Sequence, residues 1–246
     1  MNQHTITCQP LRLSGRRAIV TGAGSAMGRA IAEHLVKEGA TVALVDHDVS
    51  GGFDALEAVD ALSEDAGVFI QCDFSTEADI EAMVKQAVKS LDGVDILINS
   101  VSICEQALAK YDTNLMPASG IGIRALTAVY LCTRHVGRYM QSDSLPGCVV
   151  NIGSVTDARG RINIAAGGPA LSALRDQSLD AARCLGRFGI AVRTLTTDTP
   201  LAEDETVSGN TIQPCTLGAE CGPQEVARAV LGVLLAPSTE SGELIT

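Results

Sequence analysis

A glycine-rich turn lies between an apolar strand and a helix near the start of the chain. The predicted strand is Arg17–Thr21, the turn follows at Gly22–Met27, and the predicted helix is Gly28–Glu38, with one apolar face and Gly39 at its end. Glycines in such a turn let backbone N–H groups approach a pyrophosphate at the positive end of the helix. This order is typical of a βαβ unit, and therefore of a parallel sheet.

Apolar runs and amphipathic segments alternate over the rest of the chain. No internal repeat or linker divides the sequence, and 246 residues suffice for one large core. We therefore predict a single α/β domain over residues 1–246, a Rossmann-like doubly wound parallel sheet with helices on both faces. The further predicted strands are Thr41–Asp46, Val68–Cys72, Val94–Asn99, Cys148–Ile152 and Ile190–Leu195, and the further predicted helices are Glu77–Leu91, Pro169–Phe188 and Pro223–Leu235.

Three segments have a less regular pattern. A helical region extends to Met140, and we expect it to be interrupted near Met116–Gly120. In the helix that follows, Gly167 and Gly168 would form a flexible entry and Pro169 would lie in the first turn, where a missing N–H is tolerated. Thr196–Gly222 shows the least regular pattern.

The composition is acidic and poor in aromatic residues. A formal net charge of -11 repels nucleic acid and anionic lipid, so neither is expected as a partner, and the charge is interpreted as an aid to solubility. With 46% apolar but only 3% aromatic residues, the core must consist of aliphatic side chains, as in parallel sheets covered by helices. No apolar run approaches the roughly 20 residues of a membrane helix. The polar N-terminus lacks the apolar core of a signal peptide, so we predict a cytoplasmic protein.

The cysteine pattern does not indicate a metal site. No CxxC pair occurs and the chain has only four histidines, so no metal ligand set is predicted. We expect mostly buried free thiols in a reducing compartment. Cys215 and Cys221 are the pair most expected to be exposed. The full set is Cys8, Cys72, Cys104, Cys132, Cys148, Cys184, Cys215 and Cys221.

Asp46 ends the second predicted strand, at the spacing of an acidic residue in the dinucleotide fingerprint. A carboxylate there can accept both hydroxyls of an adenosine ribose, and it would repel a 2′-phosphate. The alternative is an aspartate that caps a helix or lies on the surface.

These motifs resemble the short-chain dehydrogenase/reductase family, over nearly the whole chain. The resemblance implies a dinucleotide-binding fold, with vestigial NAD contacts at Gly22, Ser25, Met27, Gly28, Asp46, Asp73 and Asn99. The segments that carry it are Thr21–Arg29, Asp73, Leu97–Asn99, Val150–Ser154, Gly189–Ile190, Pro223–Ala227 and Gly242–Glu243.

The departures from the family fall at its reacting end. Aligned from Ser154, Gly167 and Leu171 stand at the positions of the family's catalytic Tyr and Lys, and Ala125 stands at its catalytic Asn. In the family, the Tyr exchanges the proton and the Lys lowers its pKa, because a free Tyr titrates near 10. Loss of general acid/base catalysis typically costs 10²–10⁴-fold in rate. Only the remnant Ser154 persists, so no catalytic set is intact.

Smaller changes accompany these losses. Ala26 replaces a loop glycine, Ser100–Ser102 replaces most of the family's NNAG, and Thr197–Asp198 replaces its Pro-Gly. Ala26 adds bulk where backbone must approach phosphate. We therefore expect NAD, if it is the ligand, to bind weakly or not at all.

Three functions are compatible with this pattern. The first is a non-catalytic subunit that pairs with an active sister chain of the same family, in a hetero-tetramer. The second is an atypical enzyme with a relocated acid, for which Asp157 is the candidate, although a solvated loop without function is the favoured interpretation of that residue. The third is a nucleotide-sensing regulator that uses the loop and Asp46.

Any dinucleotide that binds is expected to be NAD rather than NADP. Asp46 would oppose a 2′-phosphate, and Ala23–Met27 offers no Arg or Lys to neutralise it. Titration calorimetry with both dinucleotides checks this, and tighter binding of NADP would contradict it.

Overall fold

A parallel sheet of seven strands organises the chain. The computed structural model describes residues 11–100, 118–144, 146–153, 164–196, 206–207, 210–211, 215–216 and 222–236. The strand order is β3-β2-β1-β4-β5-β6-β9, and every pairing in this sheet is parallel. The strands are β1 Arg17–Thr21, β2 Thr41–Asp46, β3 Gly67–Gln71, β4 Ile96–Ser100, β5 Gly147–Gly153, β6 Ile190–Thr196, β7 Thr206–Val207, β8 Asn210–Thr211 and β9 Cys215–Thr216.

Among the described residues, six helices cover the two faces of the sheet, which confirms the predicted Rossmann-like fold class. They are α1 Ala26–Lys37, α2 Val49–Asp60, α3 Glu77–Leu91, α4 Ala118–Ser142, α5 Ile164–Gly186 and α6 Pro223–Leu235. Side chains of α1, α2 and α6 form one core with the sheet, and side chains of α3, α4 and α5 form the other. Successive residues of each strand alternate between the two cores, because strand side chains point to opposite faces. In β4, Ile96 and Ile98 belong to the first core and Leu97 to the second.

The sequence pattern did not predict α2. Its Gly51 and Gly52 lower the intrinsic helix propensity by about 1 kcal/mol each relative to alanine, so the local signal is weak. Tertiary packing explains Gly52, because a Cβ there would overlap the ring of Phe69 on β3. Asp48 caps the helix, and its side chain accepts a hydrogen bond from the N–H of Ser50.

The structure corrects the predicted start of α5. The helix begins at Ile164, so Pro169 lies in its second turn rather than its first. The glycines Gly167 and Gly168 therefore lie inside the helix and not before it. The expected interruption near Met116–Gly120 falls partly on residues 101–117, which lie outside the described residues, and α4 is continuous from Ala118.

The segment Thr196–Gly222 contains more regular structure than its pattern indicated. β7 and β8 pair as a short antiparallel ladder, and β9 extends the main sheet beside β6. Cys215 thus lies in a strand, not in a loop as predicted, while Cys221 lies outside the described residues.

Cys72, Cys132, Cys148 and Cys184 are free thiols. Cys72, Cys132 and Cys148 are buried as predicted, and Cys184 is exposed. Burial raises the pKa of Cys72 to about 12 and that of Cys148 to about 11, and it also raises the pKa of Cys132. These three thiols therefore stay protonated near neutral pH.

No helix in the described part of the chain is long and apolar enough to cross a membrane. Within the same residues, no group of three or more His, Cys, Asp or Glu side chains could hold a metal ion.

A bidentate ion pair ties the amino ends of β1 and β4 together. Arg17 donates from Nε to Oδ2 of Asp95 at 2.9 Å and from Nη2 to Oδ1 at 3.0 Å, and its backbone N–H also donates to Oδ2. A further N–H of Arg17 donates to the carbonyl of Asp92. Burial alone would raise the pKa of the Asp95 carboxyl, but the hydrogen bonds from Arg17 outweigh it and lower that pKa.

We expect Asp95→Asn to reduce the free energy of unfolding by about 1–3 kcal/mol at pH 7, because it removes the charge from a largely buried pair. Because the folded pKa of Asp95 is lowered, its contribution is complete above the unfolded pKa near 3.9 and is lost as the pH falls through the folded value. Urea denaturation from pH 7 to pH 3 measures this. Glu81→Gln, in the exposed Lys85–Glu81 pair, is the matched control and should cost much less, because solvent screens that pair. Equal costs for the two substitutions would contradict the prediction.

Candidate cofactor site

The order of the strands places a crevice between β1 and β4. The chain runs outward from β1 to β2 and β3, and then returns to continue on the other side with β4, β5 and β6. In open α/β sheets, ligands bind beyond the carboxyl ends of the strands at such a switch point. The predicted glycine-rich loop follows β1 at this edge, and Asp46 is the last residue of β2.

The loop glycines are required by the packing of the loop itself. Gly22 has φ +69°, and a Cβ there would overlap the carbonyl oxygen of Ser100 at the end of β4. A Cβ on Gly28 would overlap the carbonyl of Gly22. Both glycines therefore allow α1 and β4 to approach the turn, whether or not a phosphate binds.

Ser25 and Met27 have local roles in starting α1. The Ser25 hydroxyl accepts a hydrogen bond from the N–H of Gly28 at 3.0 Å and donates to the carbonyl of Gly22 at 2.7 Å, which makes it the helix cap. Met27 is half-buried against the core beneath the helix. The first-turn N–H groups of Ala26 and Met27 have no carbonyl partner within the helix, and they mark its positive end.

Asp46 contacts the glycine-rich loop directly. Its carboxylate is only 8% exposed, and Oδ2 accepts a hydrogen bond from the N–H of Gly24 at 2.9 Å. Oδ1 accepts from the N–H of Asp48 at 2.9 Å and lies 3.0 Å from Nδ1 of His47. Asp46 therefore holds the glycine-rich loop through the N–H of Gly24. Sequence analysis did not predict the contact between Asp46 and His47, although the two residues are adjacent.

A cavity of about 400 Å³ adjoins this end of the site. It lies between the residues that follow β2, the end of β3, and α3. Asp73 is exposed beside it, and its side chain accepts a hydrogen bond from the N–H of Ser75. The cavity is lined by His47, Gln71, Cys72, Asp73, Asp79, Ala82, Met83 and Gln86.

Asn99 is fully buried and belongs to a chain of side-chain hydrogen bonds. Its Nδ2 donates to Oδ1 of Asn151 at 2.8 Å and to the hydroxyl of Thr133 at 3.2 Å. Asn151 donates in turn to Ser178 at 2.9 Å, and Ser178 donates to the carbonyl of Leu174. Asn99 therefore joins the centre of the sheet to α4 and α5. If Asn99 contacts a cofactor as predicted, the contact would use its Oδ1. This atom is buried and has no hydrogen-bond partner among the described residues.

The reacting end contains a packed aliphatic contact. Leu171, which sequence analysis aligns with the family's lysine, is 3% exposed. A Cβ on Gly153, the last residue of β5, would overlap Cδ2 of Leu171 and lie 2.9 Å from Cδ2 of Leu174. Leu171 therefore lies directly on Gly153. Gly153 belongs to the segment Val150–Ser154 that carries the family resemblance, but sequence analysis did not predict this contact.

The other predicted positions are described only in part. Ala125 is half-buried on α4, and Gly167 lies within α5. Ser154, Asp157 and Thr197–Asp198 lie outside the described residues.

The two halves of the site differ in how they fit NAD. A buried carboxylate at the end of β2 and an adjoining glycine loop fit the adenosine ribose and the phosphates. At the other end, the apolar contact of Leu171 with Gly153 supplies no cation for a nicotinamide ribose or for a tyrosinate. The described residues therefore fit the adenosine half and not the reacting half.

A family model described as short chain dehydrogenase matches residues 16–205. The chain therefore belongs to the short-chain dehydrogenase family.

Three relatives illustrate the breadth of the family around this chain. A short-chain dehydrogenase/reductase of Armillaria gallica is 32% identical over 182 residues, covering 72% of this chain and 68% of the relative. The 2,5-dichloro-2,5-cyclohexadiene-1,4-diol dehydrogenase of Sphingobium indicum is 33% identical over 148 residues, with coverages of 60% and 58%. The hydroxyacyl-CoA dehydrogenase ChsB1 of Mycobacterium tuberculosis is 33% identical over 215 residues, with coverages of 79% and 64%. The chain thus spans less than two thirds of the length of the last two.

Solved structures agree on the fold. A hydroxysteroid dehydrogenase from Escherichia coli superposes with a TM-score of 0.72 at 22% identity, covering 93% of each chain. A 3-ketoacyl-(acyl-carrier-protein) reductase from Brucella melitensis, complexed with NADH, superposes with a TM-score of 0.67 at 25% identity, again covering 93% of each chain.

We expect Gly153→Ala to cost about 1–3 kcal/mol of unfolding free energy, because the added methyl group overlaps Leu171. Leu171→Ala alone should cost about 2–5 kcal/mol, since it opens a cavity. In the double variant the methyl group occupies part of that cavity, so the combined cost should fall below the sum by at least about 0.5 kcal/mol. Chemical denaturation of the four proteins measures the coupling, and strictly additive costs would show that the two residues do not share this contact.

Proposed function

We propose that this chain is a non-catalytic subunit of a short-chain dehydrogenase assembly, in which a sister chain with an intact catalytic set performs the NAD-dependent oxidation of an alcohol or hydroxyacyl substrate. The observation that carries the proposal is the contact of Leu171 with Gly153. A residue that should lower the pKa of a general acid is instead an aliphatic side chain buried at the end of β5.

The pattern of loss and retention supports this assignment. The changes at Ala125, Gly167 and Leu171 remove the proton chemistry, whereas the sheet, both cores and the central hydrogen-bond chain are intact. A subunit whose partner supplies the chemistry needs its fold and its surface, but not its catalytic side chains. Related chains assemble through similar faces about two-fold axes, so a sister chain could replace one copy by the same packing.

The named relatives indicate the substrate class of such an assembly. They include dehydrogenases of a cyclohexadiene diol and of a hydroxyacyl-CoA. Hydroxybenzylsuccinyl-CoA dehydrogenase of anaerobic toluene breakdown has one inactive subunit type, and we propose it as the candidate assembly. The expected form is a hetero-tetramer with two kinds of subunit.

A second candidate is a nucleotide-binding regulator, and the intact environment of Asp46 favours it. The buried carboxylate and its hydrogen bond from Gly24 hold the glycine-rich loop beside the end of β2, which is the part of the site that such a regulator would use. An atypical dehydrogenase that uses Asp157 is the third candidate, and it is separated from the others by turnover.

Copurification from the native source tests the proposal. The protein should elute with a second, dehydrogenase-sized chain that carries an intact Tyr-x-x-x-Lys, and native mass spectrometry should give a mass containing both chains. Elution as a homo-oligomer, with no second dehydrogenase-sized chain, would contradict the proposal.

Turnover assays supply the second arm. The purified chain alone should not oxidise or reduce short-chain dehydrogenase substrates with NAD or NADP, because loss of the acid/base group costs about 10²–10⁴-fold. Robust turnover that is abolished by Asp157→Ala would instead establish the atypical enzyme.

A further inference from the structure

The Asp46 carboxylate has few acceptor positions left for a ligand. Two carboxylate oxygens offer about four lone-pair sites in total. Oδ2 accepts one hydrogen bond, from the N–H of Gly24, and Oδ1 accepts one from the N–H of Asp48. The imidazole Nδ1 of His47 makes a close polar contact with Oδ1, at 3.0 Å, and covers that oxygen. One uncovered acceptor position, on Oδ2, therefore remains.

An adenosine ribose presents two hydroxyls, and each must find an acceptor at Asp46. The backbone donors of Gly24 and Asp48 are held by the loop and by the start of α2, so they cannot leave without moving the backbone. The His47 side chain is different, because 54% of it is exposed and it can rotate without moving the backbone. Its imidazole can therefore leave the carboxylate at a lower cost than the two backbone donors.

The cavity beside the site provides room for the displaced ring. His47 is part of the wall of this cavity, whose volume of about 400 Å³ far exceeds that of an imidazole. The carboxylates of Asp73 and Asp79 also line it, and they would favour an imidazole that has moved away from Asp46. His47 thus has a second position available within reach of its own side chain.

We infer that His47 competes with the adenosine ribose for Asp46, so that a nucleotide with both ribose hydroxyls binds only after the imidazole has moved. His47 is then a residue that sets affinity from outside the glycine-rich loop. The apparent affinity is reduced by the fraction of molecules in which the ring covers Oδ1. This competition is a property of the single chain and holds with or without a sister subunit, so its test is independent of the proposed function.

Two probes separate this competition from any general effect on nucleotide binding. ADP carries both ribose hydroxyls and needs two acceptor positions, whereas 2′-deoxy-ADP carries one and needs only the free position on Oδ2. His47→Ala should therefore tighten ADP binding by about 1.5-fold to fivefold, the range of an exposed side-chain pair at a carboxylate. It should leave the affinity for 2′-deoxy-ADP unchanged.

Titration calorimetry or ligand-observed NMR on the full-length chain measures these affinities. His47→Phe should give the same selective gain, because it keeps a ring but removes the nitrogen that contacts Asp46. His34→Gln, on α1 and away from Asp46, is the matched control and should change neither affinity. A selective gain for ADP in both His47 variants supports the inference. It is overturned by no gain, by equal gains for the two nucleotides, or by the absence of measurable ADP binding to wild type and variants.

Discussion

A chain of buried side-chain hydrogen bonds holds the middle of this molecule together. Asn99 on β4 donates to Asn151 on β5, Asn151 donates to Ser178 on α5, and Asn99 also donates to Thr133 on α4. All four residues are buried, and a buried polar group that loses its partner costs about 1–3 kcal/mol. These hydrogen bonds therefore fix how α4 and α5 lie on the sheet. They lie immediately behind the edge where a dehydrogenase would hold its substrate.

This arrangement separates the architecture of the site from its chemistry. The hydrogen-bond chain and the loop glycines Gly22 and Gly28 are explained by packing alone, because a Cβ at either glycine would overlap neighbouring backbone. Their retention therefore shows that the fold is preserved and is not by itself evidence of cofactor binding. The residue that bears on nucleotide binding is Asp46. Its Oδ2 accepts a hydrogen bond from the loop, and its Oδ1 is contacted by His47.

Much of the fold could be predicted from local sequence signals. The bounds of β1, β2, α3 and α6 are those predicted, and α3 carries its start signal at Thr76, whose side chain caps the helix. α2 was missed because its glycines weaken the local pattern, while the reason for Gly52 is the ring of Phe69 on a neighbouring strand.

In the candidate site too, local signals could be read from the sequence and tertiary contacts could not. Asp46 could be found from its spacing, because a motif records local order along the chain. The contact of Leu171 with Gly153 joins residues far apart in sequence, and so it could be found only once α5 was placed on β5. The position of His47 depends on a side-chain conformation that no spacing records.

The buried environment of position 171 explains why leucine is suited to it where the family has lysine. A lysine there would bury an ammonium group, and such a charge is tolerated only when a partner compensates for its lost hydration. In an active family member the tyrosine and the nicotinamide ribose supply that compensation. With glycine at position 167 the phenol is gone, and a lysine at position 171 would lose its main reason to be charged. Leucine instead gains about 1.5–3 kcal/mol from burial, and Gly153 provides the space that it fills. In the non-catalytic subunit that we propose, glycine at position 167 therefore makes leucine a more stable residue than lysine at position 171.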